Sequence, residues 1–113
     1  MRVPRLVAFS IVVLSAPVVF AADISRNGHI EVPTKDEAKG ICGKNPYINN
    51  NVLMLGCVQQ EIEGAKNVIR MLSEEKEVAS EAYWNCVENP FIDTYTLLHG
   101  CMTQEIKAYR ELN

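Results

Sequence analysis

The sequence has no two cysteines at C-x-x-C spacing, no N-x-[ST] sequon, no glycine-rich phosphate loop and no Ser-His-Asp signature. Each absence excludes something. Without a C-x-x-C pair there is neither a zinc-ligand spacing nor the redox motif in which one thiol activates its neighbour. With no nucleophile set, phosphate cradle or metal motif, the sequence predicts no catalytic residue, no metal and no cofactor, and reads as that of a non-enzyme. The missing sequon favours a bacterial periplasm over a eukaryotic secretory route. Basic residues are also in short supply, 11 Lys and Arg against 14 Asp and Glu. An acidic chain repels phosphate backbones, which argues against nucleic acid and favours a cationic protein partner.

No apolar run is long enough to span a bilayer, which takes about 20 residues. The longest, Leu6 to Phe20, is broken by Ser10, Ser15 and Pro17. Arg2 and Arg5 precede it and Val19-Phe20-Ala21 ends it, so residues 1–21 read as a secretory signal peptide cut after Ala21, or else after Ala22. The expected protein is therefore periplasmic or secreted, without stable membrane insertion. Removing Arg2 and Arg5 leaves nine basic residues against 14 acids, a net charge of −5. The remaining 92 residues suffice for one small domain.

What the chain does have is a repeated phrase. "CGKNPYINNNVLMLGC" runs from Cys42 to Cys57, and "CVENPFIDTYTLLHGC" from Cys86 to Cys101. Aligning 42–62 with 86–106 gives identity at ten of 21 positions. A repeated unit of this length is one supersecondary element that cannot bury its apolar face alone. The fold expected is all-α: two duplicated helical hairpins, about 37–69 and 81–113, joined in a small four-helix domain spanning 34–113.

Local signals place the helices. Residues 22–33 are polar, contain Asn27-Gly28, and read as a flexible N-terminal arm in which His29 carries no signal. Thr34 and Glu37 form a capping box for a first helix that runs to about Cys42 and stops at Gly43. Asn45-Pro46 forbids helix, and Asn49 to Asn51 supply N-caps for the second. Leu55, Val58, Ile62, Ala65, Ile69 and Leu72 make the apolar stripe of that helix, interrupted by Gly64. No glycine or proline lies between Ala65 and Asn89, so one very long helix is possible. Ser73 followed by Glu74 and Glu75 favours a break there. A third helix then turns Ala79, Ala82, Tyr83 and Cys86 inward. Asp93 is expected to cap a fourth, striped by Tyr95, Leu98, Met102, Ile106 and Tyr109.

Four cysteines in an exported domain of this size read as two disulfides, for which three pairings exist. The repeat favours Cys42–Cys57 with Cys86–Cys101, one staple per hairpin, and Gly56 and Gly100 beside the second cysteines suggest close helix approach. Bridges between the repeats remain the alternative. Tyr47, Ile48, Phe91 and Ile92 follow the two prolines and are expected to plug the end of the bundle, with an aromatic binding surface as the competing reading. Trp84 has no repeat counterpart and reads as half-buried packing or an interface anchor. His99, the repeat mate of Leu55, reads as a core-edge histidine or a pH-responsive contact. Glu74, Glu77 and Glu81, with Glu75 and Glu88, form either a solvated face or a landing site for a basic partner.

The second copy also resembles the LprI-like lysozyme-inhibitor family. That family's pattern is a cysteine followed by Asn-Pro, then a second cysteine leading into an acidic helix that ends in Leu-Asn. The residues carrying the resemblance are Cys86, Asn89, Pro90, Cys101, Glu105 and Leu112-Asn113, and in the first copy Cys42, Asn45, Pro46, Cys57 and Glu61. The spacing to Leu112-Asn113 is one residue short, and Arg110 or Glu111 stands where the pattern has aspartate. The resemblance implies a helical, disulfide-stapled periplasmic inhibitor or immunity protein acting on a peptidoglycan-degrading enzyme. Two alternatives come from other classes. A stress chaperone would be loosened by protonation around His99 and the acidic helix, and an envelope-assembly subunit would have structural partners. The sequence leaves the oligomeric state open.

Overall fold

Four helices follow one another in the computed structural model, which describes residues 24–113. The expected signal peptide, residues 1–21, lies outside the described residues. Helix α1 spans Lys35–Cys42 and begins with the predicted capping box: Glu37 N donates to Thr34 Oγ1 (3.1 Å) and Thr34 N to Glu37 Oε1 (2.9 Å). It ends at Gly43, but Gly43 has right-handed φ (−67°) and gives no left-handed cap. The Asn-Pro pair supplies the stop instead.

Helix α2 spans Asn51–Glu74, with Asn50 Oδ1 accepting from Leu53 N at 2.9 Å. The predicted break comes at Glu75 (φ −130°, ψ 59°), two residues after Ser73, and α3 then spans Lys76–Val87. Ser73 does not cap α3, because its hydroxyl bonds back to Arg70 O (2.9 Å) inside α2. Helix α4 spans Tyr95–Leu112. Its cap is Thr94, whose Oγ1 accepts from Leu97 N at 3.0 Å, and not Asp93. Thr94 is the repeat mate of Asn50, so both hairpins start their second helix at the same register.

The disulfides join Cys42 to Cys57 and Cys86 to Cys101, with Cα atoms 6.0 Å apart in each. Each hairpin is stapled near its Asn-Pro loop. The two hairpins do not face each other across a dyad. Glu61 meets the first residues of α4, and Glu75, fourteen residues on, pairs with Arg110. Helices α2 and α4 therefore run parallel, and the first ten residues of α2 extend past the start of α4.

This stagger corrects the expected stripes. Leu55 is 56% exposed because no helix of the second hairpin reaches it, while Val58, Glu61, Gly64, Ala65 and Val68 turn inward. Ile62, Ile69 and Leu72 are only half-buried. In α4, Tyr95, Leu98, Met102 and Ile106 are buried as expected, but Tyr109 is largely exposed. All four residues assigned to the inner face of α3 are buried. The main core is built mostly from the second hairpin, with Ile41, Ala65 and Val68 contributed by the first. A satellite cluster of Ala38, Cys42 and Val58 sits under the first loop.

The glycines divide differently from the expectation. A Cβ on Gly56 or Gly100 would meet nothing within 4 Å, so neither permits a close approach. Gly64 does: a Cβ there would stand 2.9 Å from Tyr95 C and O. Gly64→Ala is expected to push the start of α4 outward and cost about 1–3 kcal/mol. Gly56→Ala and Gly100→Ala should each be neutral or gain up to about 1 kcal/mol from helix propensity. Urea unfolding midpoints separate these outcomes, and an equal response at all three positions would contradict the packing described.

From Ile24 onward the amino-terminal arm is a strap, which corrects its reading as flexible; residues 22 and 23 lie outside the described residues. Ile24 is buried in the main core. Tyr83 OH donates to Ser25 O (2.8 Å) and accepts from Gly28 N (3.1 Å), and Tyr95 OH accepts from Ser25 N (3.0 Å). Arg26 donates to Val87 O and Ile92 O, both at 2.8 Å. Buried tyrosine hydroxyls need partners, and carbonyls at a helix end need donors. The strap supplies both. Gly28 takes a left-handed φ of +89° as it passes over the Trp84 ring.

Candidate functional site

The two Asn-Pro loops are built alike. Asn45 Oδ1 accepts from Tyr47 N (2.9 Å) and Asn45 O from Ile48 N (3.0 Å). Asn89 does the same for Phe91 (2.9 Å) and Ile92 (3.0 Å). In both loops the Asn amide donates to the carbonyl of the preceding cysteine at 3.1 Å. Asparagine thus closes an Asx turn over a β-turn whose second residue, proline, has φ already set. That is why the phrase is written twice. The turn half-buries Ile48 and Ile92 and sends the intervening aromatic out.

Tyr47 is 81% exposed and Phe91 83%. They do not plug the bundle end; each stands in solvent on a turn fixed by hydrogen bonds and a nearby disulfide. Because α2 and α4 are parallel, both loops lie at the amino-terminal ends of these helices. They are offset along the axis by the ten extra residues of α2, or about 15 Å at 1.5 Å per residue. Their surroundings differ in charge. Lys44 accompanies Tyr47, while Glu88 and Asp93 flank Phe91.

The other predicted residues lie elsewhere. Trp84 is 48% exposed on α3, its ring edge-on to Tyr83 with centroids 5.0 Å apart. His99 is half-buried on α4, and its carbonyl accepts from Thr103 Oγ1 at 2.8 Å. Glu74 and Glu77 are exposed on either side of the break, and Glu81 is exposed a turn further along α3. With the 24 residues of α2 between the Tyr47 loop and the break, the acidic group sits about 36 Å along the helix from that aromatic. Tyr47 and the glutamates are therefore not one site. Among the described residues, no three His, Cys, Asp or Glu side chains form a group able to hold a metal, and no helix is long and apolar enough to cross a membrane. The two disulfides fit an oxidising compartment.

One residue that organises the fold was missed as such. Glu61 is 1% exposed. Its Oε2 accepts from Tyr95 N (2.7 Å), and its Oε1 from Thr96 N (3.0 Å) and Thr96 Oγ1 (2.6 Å). A carboxylate from α2 thereby caps α4 at the positive end of its dipole. The repeat hints at it: mate Glu105 is identical, but Thr96 aligns with Val52 and Gly64 with Ala108, and within the molecule only Glu61 makes this contact.

No protein-family model matches the chain, and neither a curated protein nor a solved structure gives a match.

Proposed function

We propose that this is an exported binding protein whose two stapled loops are its contact surface, with a basic peptidoglycan-degrading enzyme such as a lysozyme as its target. The observation that supports it most is the pair of exposed aromatics, Tyr47 and Phe91, held on identical turns at the amino-terminal ends of two parallel helices. An aromatic already fixed in place loses little entropy on binding, which is what an interface anchor needs. Phe91, flanked by Glu88 and Asp93, suits a basic cleft, while Lys44 beside Tyr47 does not. The glutamates at the far end lie beyond several screening lengths of the Tyr47 loop and contribute to solubility more than to docking there. In this reading the protein acts as an inhibitor or immunity protein of the periplasm.

Lysis of a cell-wall suspension by a basic lysozyme tests it. Micromolar protein should suppress lysis and co-elute with the enzyme on gel filtration. Phe91→Ala should weaken inhibition by about 30-fold, the equivalent of about 2 kcal/mol for a buried aromatic anchor, with a smaller loss for Tyr47→Ala. Undiminished lysis together with the absence of a complex on gel filtration at that concentration would rule the proposal out.

A further inference from the structure

The interface between the hairpins is heterologous: one face of the first meets a different face of the second. The first contributes Ile41, Glu61, Gly64, Ala65 and Val68. The repeat mates of these five are Asn85, Glu105, Ala108, Tyr109 and Leu112. All five line an open groove between α3 and α4 of the second hairpin. On the second hairpin's side, Ala79, Tyr83, Tyr95, Leu98 and Met102 are buried in the same core cluster, and Tyr95 meets Glu61 and Gly64 directly. Their mates are Lys35, Lys39, Asn51, Met54 and Val58, which line an open groove between α1 and α2 together with Leu55. Apart from Val58, which its own hairpin buries, each hairpin thus leaves open the face that its twin buries.

We propose that a second copy of this chain covers them: the α1–α2 groove of one molecule docks on the α3–α4 groove of the next, repeating between molecules the contact already made within one. Three observations select a second copy as occupant. The two open faces are matched position for position by the two sides of a packed interface. Their charges are opposite, Lys35 and Lys39 on one against Glu81 and Glu105 on the other. Their capping chemistry is also complementary. Asn50 takes Leu53 N as Thr94 takes Leu97 N. This leaves the amides of Asn51 and Val52, mates of the two amides that Glu61 accepts, for Glu105 of the neighbour.

The intermolecular version is looser than its template. Ala108 stands where Gly64 admits the Tyr95 backbone, so its Cβ holds the incoming helix end outward and lengthens the bonds to Glu105. Val52 lacks the hydroxyl that Thr96 gives Glu61. The contact is accordingly reversible. Being heterologous, it leaves one face free at each end and grows into an open chain or closes into a ring. Tyr47 and Phe91 belong to neither face, so the association stands or falls independently of any inhibitory activity.

Sedimentation velocity over a concentration series on the oxidised protein is the test. The mass of the wild type should rise with concentration past that of a dimer, and Ala108→Gly should bring the same rise at several-fold lower concentration. Leu55→Glu blocks one face and Ala108→Arg the other. Both positions are exposed, and circular dichroism checks that each variant is folded. Each alone should stay monomeric, while an equimolar mixture should form a dimer and nothing larger, because each variant keeps the face the other has lost. A wild type that remains monomeric up to about 1 mM, a concentration at which even a contact worth about −4 kcal/mol is half-formed, would overturn the proposal. So would assemblies indifferent to these substitutions, or a mixture that stays monomeric.

Discussion

Glu61→Ala is expected to lower the stability of this domain by about 3 kcal/mol, while Glu105→Ala, at the same repeat position, should change it by less than about 0.5 kcal/mol. The reasoning starts from the donors. Tyr95 N and Thr96 N are first-turn amides with no acceptor inside α4, and Tyr95 is 5% exposed. Removing the carboxylate strands the buried Tyr95 amide and leaves the Thr96 amide and hydroxyl, on the exposed side of the site, to water alone. An unmet buried donor costs about 1–3 kcal/mol. The substitution also opens a hole beside Gly64, where the backbone of α2 lies against that of Tyr95. Glu105 has only a weak 3.4 Å bond from Asn85 Nδ2 and is exposed.

Urea denaturation of both variants at low protein concentration reads the difference directly. Glu61→Gln should fall between wild type and Glu61→Ala, since one amide oxygen replaces two carboxylate acceptors and the NH2 group opposes a backbone N–H. Glu61→Ala combined with Thr96→Val should cost less than the two singles added, because their losses share one site. Equal midpoints for Glu61→Ala and Glu105→Ala would remove Glu61 from the role assigned to it.

The asymmetry between these two glutamates shows what sequence reading reaches and where it stops. Features encoded within a few residues were legible. The Thr34–Glu37 capping box, the Asn-rich N-cap of α2, the inward face of α3 and the pairing of cysteines within each repeat all depend on local spacing, and all are present. The helix break was placed to within two residues. Features set by how the hairpins dock were not legible. An isolated glutamate looks like surface charge, and nothing in its spacing separates Glu61 from Glu105. The informative signal was where the repeat fails to match, Gly64 against Ala108 and Thr96 against Val52. A contact made by only one copy releases the other from the residues it needs.

The strap was misread for a related reason. "DISRNGHIEVP" is polar and turn-rich, the composition of a mobile segment. From Ile24 onward it is tied down instead, by Tyr83, Tyr95 and its own Arg26, over separations of 55 to 70 residues. Loop aromatics were misplaced because apolar character predicts burial, whereas the Asx turn gives the inward position to isoleucine and the outward one to Tyr47 and Phe91. For the candidate site, then, the residues were legible in the repeat, but their orientation required the backbone.

Removing the two disulfides one at a time should give different results although both close loops of 15 residues, each worth about 3 kcal/mol in loop entropy. Cys86 lies in the main core with Tyr83, Leu98 and Met102. Cutting Cys86–Cys101 by double alanine substitution frees α3 from α4 where most of the buried apolar surface is shared. The loss should be global, about 2–5 kcal/mol, comparable with the whole stability of a domain this small. Cys42 instead belongs to the satellite cluster with Ala38 and Val58. Helix α1 has only eight residues, too few to persist without a partner, and its remaining tie to the main core is Ile41. Cutting Cys42–Cys57 should therefore release α1 locally and leave the rest folded. Hydrogen exchange should show the amides of 38–43 losing protection while those of α3 and α4 keep theirs, with a smaller shift in the urea midpoint than the other pair produces. If both double variants lose the same stability and the same protection pattern, the core is not divided between the hairpins as described.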